Sequence, residues 1–149
     1  MRDELDVLEE WAGALLAKLE PGERRKLLGT MARNLRRDQQ KRIALQRSPD
    51  GKPYEPRKRR ELKAKRGRVK AQMFRKLRGV RHMRTEHSSQ ELTVGFVGRA
   101  ARIARVHHSG LRDSPAHGQR VVPYSARELL GFTKSDLRNF KDILLEVLV

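Results

Sequence analysis

The residues with the most reactive chemistry lie close together: His107, His108, Asp113 and His117. Imidazole and carboxylate groups together can hold a metal ion that activates water. The adjacent histidines, however, would point to different sides of a helix, which makes joint ligation awkward. No established metal spacing such as H-E-x-x-H occurs. The chain has no cysteine, so thiolate nucleophiles, zinc–thiolate sites and disulfides are excluded, and a reducing compartment suits it. A phosphate-cradling glycine motif, a nucleophile elbow and a convincing acid pair are also missing. The expectation is a protein that is not an enzyme and needs no cofactor, with Arg102, Arg105, His107 and His108 serving packing or subunit contact.

A second chemistry is written in charge. The net charge is +17, from 35 basic and 18 acidic residues. Residues 57–84 hold 14 of those basic groups and one acid, Glu61, which leaves 21 basic and 17 acidic groups for the rest of the chain. A nearly balanced body thus carries one basic arm, whose foremost members are Arg57, Lys58, Arg59, Arg60, Lys63, Lys65, Arg66, Arg68 and Lys70. Such an arm calls for a polyanionic or acidic partner. Phosphate contact through it would be salt-sensitive and sequence-tolerant. Apart from Phe74 it has no interleaved aromatics on which bases could stack.

The elements that position these groups follow from periodicity. Leu5, Leu8, Trp11, Leu15, Leu16 and Leu19 mark one face of a first helix with an acidic opening turn, broken by Glu20-Pro21-Gly22. Trp11 belongs to that leucine stripe as a core residue. Leu27, Leu28, Met31, Leu35 and Ile43 line a second helix running to about Gln46, which completes an αα-hairpin over 1–47. Ser48-Pro49-Asp50-Gly51-Lys52-Pro53 is a turn cluster. Within the arm, 57–67 reads as a loop and 68–77 as an amphipathic helix docking on Met73, Phe74 and Leu77. Leu92, Val94 and Phe96 alternate with polar or small residues as a half-buried strand does, and a preceding strand around 82–86 could pair with it.

Ala100, Ile103, Ala104 and Val106 predict a short amphipathic helix ended by Gly110. Val121-Val122 is β-prone and stopped by Pro123. Ser125 and Glu128 have capping-box spacing, which predicts a one-turn helix ending at Gly131 and places Arg127 on it as a further contact residue. Thr133 and Asp136 mark the start of a C-terminal helix whose apolar side is Leu137, Phe140, Ile143, Leu144, Val147 and Leu148. The fold class read from this order is α+β: an N-terminal hairpin, a small antiparallel sheet and a C-terminal helix.

At 149 residues this is one domain, 1–149, whose 91–149 portion forms the α+β core. Apolar residues make up 37% and aromatics 5%, low for a self-sufficient globule and suited to a subunit completed by its neighbours. No apolar run approaches the ~20 residues of a membrane span. The opening MRDELDVLEE has neither the basic start nor the apolar stretch of a secretory signal, so the cytosol of the producing cell is the expected compartment.

Three motifs in order, Arg42-Ile43 through Gln46-Arg47-Ser48-Pro49-Asp50-Gly51-Lys52-Pro53-Tyr54-Glu55-Pro56-Arg57, Val94-Gly95-Phe96, and R-I-A-R-V-H-H-S-G-L-R-D followed by V-P-Y-S-A-R-E-L-L-G-F-T, together resemble the bacteriophage virion morphogenesis family. Tyr54 stands where that family more often has tryptophan. The resemblance implies a virion structural protein that completes the head-proximal end of a tail and makes it competent for head joining. It implies ring-forming α+β subunits, for which six copies would suit a six-fold tail. Its partners would be other copies of itself, tail tube, sheath or terminator proteins, the head connector and, without specificity, passing phage DNA. Its place would be the virion tail, after assembly in the host cytoplasm. The alternative, from charge alone, is a sequence-tolerant nucleic-acid-binding protein.

Overall fold

The computed structural model describes residues 2–57 and 72–148. Four helices and four short strands follow one another among them: α1 (Arg2–Leu16), α2 (Pro21–Ala44), β1 (Met83–His87), β2 (Leu92–Phe96), α3 (Arg99–Ser109), β3 (Arg112–Asp113), β4 (Val122–Pro123) and α4 (Lys134–Leu148). This is the expected α+β class, with a helical hairpin first and a helix last. β1 pairs with β2, and β3 with β4 in antiparallel register, Arg112 opposite Pro123 and Asp113 opposite Val122. The chain divides into two compact units, one formed by 1–38, 84–95 and 132–149, the other by 39–83 and 96–131.

In the first unit, the leucine stripes of α1 and α2 close on α4. Leu8, Leu27, Leu28, Met31, Leu35, Leu137, Phe140 and Leu144 form the buried core, with Leu5, Trp11, Leu92 and Val94 packed against it. Burying a leucine or phenylalanine contributes about 1.5–3 kcal/mol, so this cluster is the main source of the unit's stability. α1 ends at Leu16, earlier than its stripe suggests, because residues 17–19 close into turns. Pro21 then opens α2 in place of breaking α1, at the helical position where a missing N–H costs nothing. α4 begins with the expected reciprocal cap: the Thr133 N–H donates to Asp136 Oδ2 at 2.9 Å, and the Asp136 N–H donates to Thr133 Oγ1 at 3.0 Å. His87 on β1 lies so near Gly29 that a Cβ there would stand 2.8 Å from Nε2.

The second unit departs from expectation in three places. Ala100, Ala104 and Val106 are the buried face of α3, but Ile103 is 48% exposed. The helix expected over 68–77 is not formed in its described part. Phe74 has φ +66°, which no right-handed helix accommodates, and the Met73 backbone is held from both sides by the Gln46 amide, its N–H donating to Oε1 at 2.8 Å and its carbonyl accepting from Nε2 at 2.9 Å. Residues 68–71 of that helix, and the loop expected over 58–67, lie outside the described residues. Last, Ser125–Glu128 makes no capping box and 125–131 makes no helix. Glu128 is exposed, and the segment's backbone groups are claimed by side chains distant in sequence.

Gly110 ends α3 in the left-handed region, φ +66°, and a Cβ on it would meet the Ala126 nitrogen at 2.9 Å. Only glycine satisfies both demands. α2 ends similarly without one. Gln46 takes φ +57°, its N–H donates to the Ile43 carbonyl and that of Arg47 to the Arg42 carbonyl, the paired bonds of a Schellman closure. The expected turn follows: the Ser48 N–H donates to the Lys52 carbonyl, the Lys52 N–H to Asp50 Oδ1 at 3.0 Å, and Gly51 takes φ +87°.

Candidate functional site

The densest polar arrangement lies in the second unit, where α2 and the segment after it hold 124–131 in an extended course. On α2, Gln39 and Arg42 continue the stripe begun by Leu35, four and seven residues on, beside the buried Ile43, and Gln46 follows just past the helix end. Arg42 donates through Nη2 to the Leu129 carbonyl at 2.8 Å and to Gln39 Oε1, and through Nη1 to the carbonyls of Arg47 at 3.0 Å and Glu128 at 3.4 Å. Gln39 Oε1 also accepts from the Gly131 N–H at 3.2 Å. The Tyr54 hydroxyl donates to the Glu128 carbonyl at 2.9 Å. Burial pushes that hydroxyl's pKa above the ordinary tyrosine value, with Arg42 opposing the rise.

Arg127 is 7% exposed and turned inward. Its Nε donates to the Glu55 carbonyl at 2.7 Å and its Nη2 to that of Pro56 at 3.1 Å, while its own N–H donates to the His107 carbonyl at 2.7 Å. His108 Nδ1 accepts from the Leu129 N–H at 3.1 Å, and Leu129 is fully buried. His107 lies between two rings in edge-to-face contact, Phe74 with centroids 5.1 Å away and Tyr124 at 4.8 Å. Phe74 meets Tyr54 in the same manner at 5.8 Å. These geometries suit the positive edge and negative face of aromatic rings.

Of the expected contact residues, the fold therefore engages Arg127, His107 and His108 in its own packing. Arg102 and Arg105 stand on the exposed side of α3. Arg102 pairs with Asp113 at 2.7 Å. The Ser114 N–H first, and then Arg102, hold the Asp113 carboxyl below the usual carboxylate range. His107, His108, Asp113 and His117 do not converge. Among the described residues, no three His, Cys, Asp or Glu side chains come together as a metal site. Arg57 is described and half-buried. Lys58, Arg59, Arg60, Lys63, Lys65, Arg66, Arg68 and Lys70 lie outside the described residues.

Sequence reasoning missed Gln39, Arg42 and Tyr54 as a unit. The available signal was the run of polar residues on a buried helical stripe. Arg42, Tyr54 and Arg127 each donate to main-chain carbonyls, which fastens the backbone at Glu128, Leu129, Glu55 and Pro56. A groove in the first unit, lined by Asp3, Glu4, Val7 and Leu8 on α1 and by Lys134, Leu137, Arg138 and Lys141 on α4, has a volume of about 610 Å³. No helix among the described residues is long and apolar enough to cross a membrane.

No solved structure matches the chain. Over 144 residues it is 36% identical to the tail completion protein S of Escherichia phage P2, covering 96% of each chain. The family model described as the phage virion morphogenesis family matches residues 3–149. With agreement running through nearly its whole length, the chain belongs to the phage virion morphogenesis family.

Proposed function

We propose that this phage tail morphogenesis protein completes the head-proximal end of the tail and makes it competent to join a head. The observation that carries the reading is the 36% identity to a tail completion protein across 96% of both chains. The protein acts by binding, with no bond made or broken. Its partners are other copies of itself in a closed ring, the tail tube, sheath or terminator proteins, and the head connector. Arg102 and Arg105, exposed on α3, are its contacts on the outer face. His107, His108 and Arg127 contribute by holding the surface that meets a partner. The basic arm, Arg57 to Lys70 and onward, contacts acidic tail proteins and passing DNA. The completed protein resides in the virion tail, after assembly in the host cytoplasm.

Deleting its gene from the phage that encodes it, with the chain resupplied in trans, tests this reading. Unjoined filled heads and tails in electron micrographs, restored to infectious particles by the resupplied chain, are expected. Normal particle yield without the chain would overturn it. Neutralising Arg57, Lys58, Arg59 and Arg60 should leave folding intact and impair joining. Filter binding at two salt concentrations separates the arm's partners: tight duplex-DNA binding that falls steeply with salt and collapses in that variant, with joining unaffected, would favour a dedicated nucleic-acid binder.

A further inference from the structure

The first unit presents two outward helix faces of opposite sign. Residues 3–10 of α1 include five acids and no base, whereas residues 24–37 of α2 include six basic residues and no acid. The wheel of each helix places the charge opposite the core. With Leu8 and Ala12 turned inward, Asp3, Asp6 and Glu10 form the exposed line of α1. With Leu28, Met31 and Leu35 turned inward, Lys26, Arg33 and Arg37 form that of α2, and all six charged residues are exposed. Asp6 and Glu10 are one turn apart, as are Arg33 and Arg37, so the two lines share a repeat of about 5.4 Å. Among the described residues, none of these charges makes an ion pair within the chain. Arg33 makes only a surface contact, to the Thr30 hydroxyl at 3.2 Å.

We propose that the acidic line of α1 docks on the basic line of α2 of a second copy, so that copies join head to tail. This rests on the ring reading above and names the surfaces that would form the ring. Two different patches meeting in a repeated heterologous contact generate a ring when the rotation closes. Complementary charge supplies orientation and register for that contact and excludes the like-faced pairings, α1 on α1 and α2 on α2.

Two charge reversals test it, Asp6→Lys with Glu10→Lys, and Arg33→Glu with Arg37→Glu, followed by sedimentation of the full chain up to a few hundred micromolar. The natural chain should self-associate, more weakly as salt rises. Each variant alone should stay monomeric, with association weakened at least ~10-fold. An equimolar mixture of the two should assemble again, because every acidic line then finds a basic one, alternating around the ring. Circular dichroism checks folding. Should a reversal unfold, the milder Asp6→Asn with Glu10→Gln must still weaken association. A natural chain that stays monomeric, variants that associate as it does, or a mixture that fails to reassemble would each overturn the proposal. So would an Arg33→Glu, Arg37→Glu chain that has lost duplex-DNA binding and still self-associates, which would make the α2 face a phosphate contact. If the mixing result holds and the gene deletion leaves tails normal, the tail reading fails and this one stands.

Discussion

Replacing Arg127 with methionine keeps most of its aliphatic length and removes the guanidinium. Two bonds from a charged donor are lost, to the Glu55 carbonyl at 2.7 Å and the Pro56 carbonyl at 3.1 Å. The residue is 7% exposed, so water does not readily replace them. Hydrogen bonds from charged groups contribute about 1.5–3 kcal/mol each. The desolvation that the buried cation no longer suffers offsets part of that. The net expectation is a loss of about 2–4 kcal/mol, a substantial part of the 5–15 kcal/mol typical of a domain. At roughly 2–4 °C per kcal/mol for a chain of this size, the melting temperature should fall by about 5–15 °C. Urea unfolding gives the free energy directly. Native-state exchange should show the Arg127 and Leu129 amides opening sooner, since they donate to the His107 carbonyl and His108 Nδ1 in the same segment. Arg105→Met, on an exposed position, is the control and should stay within about 0.5 kcal/mol. A loss below about 1 kcal/mol for Arg127→Met, equal to that control, would refute the claim that this arginine fastens 124–131 to Glu55 and Pro56.

Thr133→Ala removes one half of the reciprocal cap on α4 and should cost about 1 kcal/mol by urea unfolding. Glu128→Ala should shift stability by less than about 0.5 kcal/mol, since this side chain is exposed and caps nothing. Gly110→Ala meets both a positive φ and the Ala126 nitrogen and should cost at least about 1–2 kcal/mol by the same measurement. Asp113 has a folded pKa below its unfolded one, so its contribution is complete above the usual carboxylate range and is lost as pH falls through the lowered value. Arg102→Gln removes the guanidinium's hydrogen bond and its charge, and leaves the larger effect of the Ser114 N–H in place. In a carboxyl NMR titration the Asp113 midpoint should therefore rise part of the way toward the ordinary value, and an unmoved midpoint would show that Arg102 has no part in the lowering.

Much of the helical frame was legible because its signals are local. The stripes of α1, α2 and α4, the Thr133–Asp136 cap and the glycine after α3 each lie within a few residues, where spacing decides the outcome, although Val147, expected on the α4 stripe, is exposed. Alternation marked β2, and a partner strand around 82–86 was allowed by its position ahead of it. The segment from Ser125 to Gly131 was misread for the complementary reason. Its capping-box spacing is a local preference of about 1 kcal/mol, outweighed by hydrogen bonds that Arg42, Tyr54 and Arg127 donate and Gln39 accepts, joining residues 71 to 92 positions apart. Phe74 was misplaced on a helix by the same competition, since the Gln46 amide claims the backbone of its neighbour Met73 from 27 residues away. The contact residues were found by type and position, but whether a given histidine or arginine turns inward or outward depends on those distant partners.

The polar pair Gln39 and Arg42 on α2 has a consequence for synthesis. Its main-chain acceptors at Glu128 and Leu129 lie 86 and 87 residues beyond Arg42, so α2 leaves the ribosome long before they exist. At about 5–20 residues per second, that interval is about 4–17 seconds. An apolar stripe of the same length would spend it exposed, available to chaperones and to other nascent chains. Amide and guanidinium groups stay hydrated through the wait and surrender that water only when the late segment arrives. Building the latch from polar side chains thus lets an early helix wait for a late segment without becoming adhesive.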